Sequence, residues 1–185
     1  MNKEENRGKT AYVCYCLLPG DGRSGRMDQA LQQVQELFED AGFHEVKQAF
    51  VVGRAFPSAS PFAVYPLGFR VRTGQEMERL GTGDEGDGRR FGSAPENLVL
   101  SYGLFRGLGQ EMASDSECFL ILLREGSTAG HEKQMINIIR DKYVPLRRQL
   151  KLHTVCLAQP EEAWEAWEQD FAEACGIETM TEKFL

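Results

Sequence analysis

The stretch Ala11 to Leu18, AYVCYCLL, is a continuous apolar run with aromatic and β-branched content. A run of this length and type reads as a strand buried on both faces. Pro19-Gly20 follows as a turn signal. From Gln29 to Ala41 the pattern changes period. Leu31, Val34, Leu37, Phe38 and Ala41 recur every three or four residues, with Gln and Glu opposite, which predicts an amphipathic helix. Asp28 is the expected N-cap, and Gly42 stands where a helix C′ residue belongs. Glu45 to Val52 (EVKQAFVV) resumes as a strand.

The same plan returns in the second half. Cys118 to Leu123 (CFLILL) reads as a strand and Gly126 to Gly130 as a loop. Glu132 to Tyr143 reads as a helix with Met135, Ile136, Ile139 and Tyr143 on one side, and Leu152 to Ala158 (LHTVCLA) as a strand. Pro145 is expected to kink or end that helix, because its nitrogen cannot donate the helical bond. Two β-α-β units in series predict an α+β fold with a ferredoxin-like split β-α-β core, an antiparallel sheet with helices on one face. The alternative is an α/β, Rossmann-like parallel sheet.

Around this frame the chain reads as one domain over residues 10–185, preceded by a polar, disordered start at 1–9. An insertion at about 53–117 separates the halves and is rich in turn formers. Phe62 to Val71 there reads as a strand pair broken at Pro66, and Leu98 to Phe105 (LVLSYGLF) as another strand. Residues 74–92 hold six of the 19 glycines and read as a mobile loop. Within it, GDEGDG (Gly83–Gly88) lacks the ligand spacing of a calcium loop. Pro160 opens a final acidic helix, 161–175, in which Trp164, Trp167, Phe171 and Ala174 share a face. That face packs on its own domain or serves as an interface.

Composition narrows the function classes. The 185 residues carry 21 basic and 28 acidic side chains, a net charge of −7. Residues 1–160 balance 20 acidic against 20 basic groups, so the whole excess lies in residues 161–185. A neutral body weakens the case against nucleic acid, since Arg140, Lys142, Arg147, Arg148 and Lys151 face only Asp141 in their stretch. No window reaches the ~18 apolar residues of a membrane span, and the polar start is not read as a secretory signal, since the apolar run behind it reads as a buried strand. The five cysteines form no Cys-x-x-Cys pair, and the three histidines stand apart from them, so no metal site is expected and the thiols read as buried and free. The expected compartment is cytoplasmic.

The sharpest motif is Gly20-Asp21-Gly22-Arg23-Ser24-Gly25, a G-x-G-x-x-G between a strand and a helix. Glycines let backbone N–H groups approach a phosphate, and a helix N-terminus adds partial positive charge. The dinucleotide fingerprint is incomplete. Pro19 intervenes, and the second strand ends in Val52-Gly53-Arg54 where an acidic residue should bind a ribose. No cofactor is therefore expected, and the loop with Gly20, Gly22, Arg23, Gly25 and Arg26 is left as a candidate anion site. Arg70 and Arg72 alternate along a possible strand and, with Arg89, Arg90 and His131, are candidate ligand contacts. The competing reading pairs the insertion's arginines with Glu76, Glu78, Asp84, Glu85, Asp87 and Glu96. His131-Glu132 opens the second helix beside a glycine loop, without a nucleophile at hand.

No catalytic constellation can be assembled. The leading expectation is a non-catalytic binding or regulatory protein of unknown ligand that associates with itself as a homodimer, with a small anion as a candidate ligand. The alternatives are an enzyme acting on a phosphorylated or carboxylated small molecule held at Gly20–Gly25, and an interaction module of a nucleic-acid-processing system.

Overall fold

The computed structural model describes residues 3–19, 27–51, 54–55, 69, 90–91, 93–108, 115–125, 128, 130–157 and 177–179. Strand β1 is Thr10–Pro19, helix α2 Met27–Asp40 and strand β2 Glu45–Val51, preceded by a helical turn α1 at Lys3–Asn6. Two short strands, β3 (Arg54–Ala55) and β4 (Arg90–Phe91), pair antiparallel. Helix α3 is Ala94–Leu108 and β5 Ser116–Glu125. Helix α4 (Glu132–Ile138) runs through a π turn, Ile139–Tyr143, into α5 (Val144–Gln149). Strands β6 (Leu152–Leu157) and β7 (Ile177–Thr179) complete the main sheet, ordered β2-β1-β5-β6-β7.

Every ladder in that sheet is parallel. The sheet is thus parallel where the leading expectation had it antiparallel, in keeping with an α/β fold. The physical reason lies at 98–105. The stretch expected as a strand is the middle of α3. Ala94, Leu98, Ser101 and Phe105 are buried at intervals of three and four, the period of a helix. Ser93 and Glu96 form a reciprocal cap: Ser93 N–H donates to Glu96 Oε2 at 2.8 Å, and Glu96 N–H donates to Ser93 Oγ at 3.4 Å. A helix here carries the chain back along the sheet, so β5 enters parallel to β1 instead of turning against it.

The central strands are apolar on both faces because both faces are covered. Ala11, Val13, Tyr15 and Leu17 of β1 join Phe119, Ile121 and Leu123 of β5 beneath Val34 and Phe38 of α2. Cys14, Cys16 and Leu18 join Cys118, Leu120 and Leu122 on the other face, beneath α3, α4 and α5. Period-two alternation along each strand sorts these sets. Helix α2 begins at Met27, so Asp28 lies inside it rather than at its cap, while Gly42 follows it at φ +83°, as expected of a C′ glycine. At the polar start, Asn6 is buried and its Nδ2 donates to Ala41 O at 2.9 Å, tying α1 to the end of α2.

Pro145 does not end the helix. In the π turn the Val144 N–H donates to Ile139 O, five residues back, and Pro145 falls in the first turn of α5, where its missing donor costs nothing. Leu146 and Leu150 then continue the buried stripe. The final helix expected at 161–175, with Trp164, Trp167 and Phe171, lies outside the described residues, as does the strand pair at 62–71 apart from Phe69. Among the described residues, no helix is long and apolar enough to cross a membrane.

Candidate functional site at the carboxyl edge of the sheet

The strand order reverses at one place. From β1 the chain steps outward to β2, then returns past β1 to β5 and continues outward the other way. In open parallel sheets the crevice at such a reversal, outside the carboxyl ends of the strands, is where ligands bind. Here β1 and β5 end side by side, with Pro19 opposite Glu125 and Leu18 opposite Arg124. Strand β2 stops earlier, with Val51 opposite Cys16. Just past that point the Leu17 carbonyl accepts Asn97 Nδ2 at 2.9 Å, which fixes the N-terminal part of α3 against the end of β1.

Arg124 stands at this edge, next to Glu125. It is only 6% exposed, although it stands at the end of its strand. By alternation it shares the face of Leu120 and Leu122, under the helices α3 and α4. Thr128, in the connection that follows, is 1% exposed, and its carbonyl accepts the His131 N–H at 3.1 Å. The sequence reading ended its strand at Leu123 and so missed Arg124. The signal was an arginine directly after an apolar run, which marks a strand end.

The residues singled out from sequence fall as follows. Gly20, Gly22, Arg23, Gly25 and Arg26 lie outside the described residues, directly after Pro19 at this edge. Arg70, Arg72 and Arg89 also lie outside them. Arg90 is in β4, opposite Ala55. His131 is exposed and precedes α4 without a side-chain capping bond. The neighbouring Glu132 carboxylate accepts the Gly130 N–H at 3.0 and 3.1 Å, so it is turned back on its own loop.

Among the described residues, an ionic cluster sits at the opposite, amino edge. Glu117 Oε1 accepts Lys9 Nζ at 2.8 Å, and Glu117 Oε2 lies 3.2 Å from His153 Nε2. The His153 ring stacks on Phe119 with centroids 4.9 Å apart. Burial raises the Glu117 pKa, but the Lys9 hydrogen bond and charge, followed by His153, outweigh it and hold the carboxyl below its ordinary value. A depressed carboxyl contributes stability above the unfolded-state value of about 4.3 and loses it as pH falls toward the folded one. The melting temperature therefore falls through that acid window, and Glu117→Gln flattens the fall. An unchanged acid limb in the variant would show that the cluster adds nothing to stability.

The thiols are packing groups. Cys14, Cys16, Cys118 and Cys156 are buried and outside any disulfide, in line with the sequence reading of them, while Cys175 lies outside the described residues. Burial pushes Cys16 up to about 12, against the pull of its Ser101 hydrogen bond, and pushes Cys14 higher still. Cys118 reaches about 12, by burial first and the Glu117 charge second. Such thiols stay protonated at neutral pH and are poor nucleophiles. Ser101 Oγ donates to Asn97 O at 2.9 Å, and Tyr143 Oη donates to Leu98 O at 2.6 Å, so the polar atoms under α3 serve to seat that helix. Among the described residues, no group of three His, Cys, Asp or Glu side chains is placed to hold a metal ion.

No family model matches the chain, and no curated protein matches it.

Proposed function

We propose that this chain is a non-catalytic binding protein that takes a small anion at the carboxyl edge of a Rossmann-like, doubly wound sheet. The observation that carries the reading is the reversal of strand order between β1 and β5, with the buried Arg124 at the end of β5. Helices on both faces and a fully parallel main sheet support the Rossmann-like arrangement over the ferredoxin-like one. In sequence the glycine-rich stretch Gly20–Gly25, with Arg23 and Arg26, follows β1 directly, and a glycine loop of this kind is the type whose backbone N–H groups suit an anion. The high thiol pKa values and the distance of the Glu117 cluster from this edge favour binding over catalysis.

A thermal-shift series with inorganic phosphate, AMP and citrate tests the proposal. A ligand present at 100 times its Kd stabilises by about 2.7 kcal/mol, a rise of several degrees in Tm. The expected result is such a rise with at least one of the three, abolished by Arg23→Ala/Arg26→Ala. No rise with any of them, or a rise unchanged in the double variant, would overturn the proposal. Turnover of an AMP or citrate that binds would move the reading to the enzyme alternative.

A further inference from the structure

We infer that, given an anion site at the carboxyl edge as proposed above, Asn97 sets its ligand class: a small anion with a hydroxyl beside its charged group. Asn97 is buried in the N-terminal part of α3. Its Nδ2 donates to Leu17 O at 2.9 Å, but its Oδ1 is buried without a hydrogen-bond partner among the described residues. Such atoms are rare in folded proteins, and each calls for a reason. The backbone supplies the first part of one. Strand β2 stops at Val51, opposite Cys16, so at Leu17 the Asn97 amide stands in for a neighbouring strand. Alternate residues of a strand direct their backbone groups to the same side, which puts Pro19 next after Leu17 along that edge. Proline has no N–H to give. The strand edge therefore offers Asn97 a carbonyl for its amide nitrogen and no donor for its oxygen.

Place and chemistry supply the rest. Arg124 ends the neighbouring strand β5, opposite Leu18, and by alternation it shares the face that α3 covers. Tyr15 Oη also lacks a partner, but its ring stacks on Phe50 on the α2 side of the sheet, the face opposite Arg124. A guanidinium presents only donors and takes a carboxylate or a phosphate. The Asn97 oxygen can only accept. An anion made of acceptors alone suits the arginine and leaves the amide oxygen as it was. An anion with a hydroxyl a bond or two from its charged group answers both. A hydroxyl suits the place better than an ammonium, whose positive charge would lie beside Arg124. Both side chains are out of water, where a hydrogen bond made or missed separates ligands most sharply.

Isothermal titration of the full chain tests this with two ligand pairs. Citrate and tricarballylate differ by one hydroxyl; glycerol 3-phosphate and propyl phosphate make the same comparison for a phosphate. The expected result is that the hydroxylated member of at least one pair binds at least tenfold more tightly than its partner. Asn97→Leu should erase that preference by weakening the hydroxylated ligand alone. Should the variant melt early, the comparison within each pair on the unaltered chain still decides. Equal binding within both pairs would overturn the inference and leave the anion site standing. So would an equal loss of both members in Asn97→Leu, which would make Asn97 a seat for α3 and nothing more. Failure of all four while inorganic phosphate binds would also sink the inference alone. Failure of all four and of phosphate would remove the anion site, and the inference with it.

Discussion

Phe119→Ala is expected to lower the free energy of unfolding by about 3–5 kcal/mol, the usual cost of removing a buried phenylalanine. Phe119 is fully buried near the middle of the sheet. Its ring meets Phe38 of α2 edge-on at 4.9 Å, Phe43 at 5.8 Å and the stacked His153 ring at 4.9 Å. One side chain therefore joins β5, β6, helix α2 and the turn after it. Truncation loses the transfer energy of the ring and leaves a cavity that three anchored aromatic neighbours cannot collapse to fill. It also takes away the surface on which the imidazole of the Glu117 cluster rests. Phe119→Leu, which keeps most of the volume, is expected to cost less than half as much. Urea unfolding followed by far-UV circular dichroism measures both; similar midpoints for the two variants would contradict the packing argument.

The second large effect has the opposite sign. Tyr15→Phe is expected to raise stability by about 1–3 kcal/mol, the penalty of an unsatisfied buried polar group. The Tyr15 ring stacks on Phe50 with centroids 4.6 Å apart, and the residue is 1% exposed. Its Oη is buried without a hydrogen-bond partner among the described residues. Burial, followed by the neighbouring Cys14, pushes its pKa well above the usual tyrosine value, so ionisation gives the oxygen no way out. Phenylalanine keeps the stack and removes the stranded oxygen. The same urea experiment decides the matter: a loss of stability in the variant would reveal a partner for Oη in solution.

The elements legible in the sequence were those whose pattern is local. AYVCYCLL and CFLILL could be read as two-faced strands because each lies under helices on both sides, and the Leu31–Ala41 spacing is unmistakably helical. Helix α3 was misread because Val99, Tyr102 and Phe105 are residues that strands favour, and Gly103 weakens a helix reading. The deciding signal was upstream, in Ser93-Ala94-Pro95-Glu96, where a cap, an early proline and a returning glutamate announce a helix N-terminus. Missing that one helix set β5 antiparallel in the leading reading, whereas β5 runs parallel to β1 as in the alternative one.

The candidate site was half legible for a related reason. Its glycine loop is a local motif, but Arg124 and the meeting of Pro19 with Glu125 depend on strand order, which no window of sequence contains. The amino-edge cluster is less local still. Lys9 and Glu117 are 108 positions apart, and nothing near either residue names the other.

That separation also bears on how the chain reaches its native state. During synthesis β1 emerges early, apolar on both faces, and can pair at once only with β2. Its other edge stays open until β5 has been made, after the whole central segment. The closing of this parallel pair carries a long loop, the kind of contact that slows folding. Until then AYVCYCLL is an uncovered strand edge, the species most prone to join a neighbouring chain, and the segment for which a nascent copy most needs a holding partner.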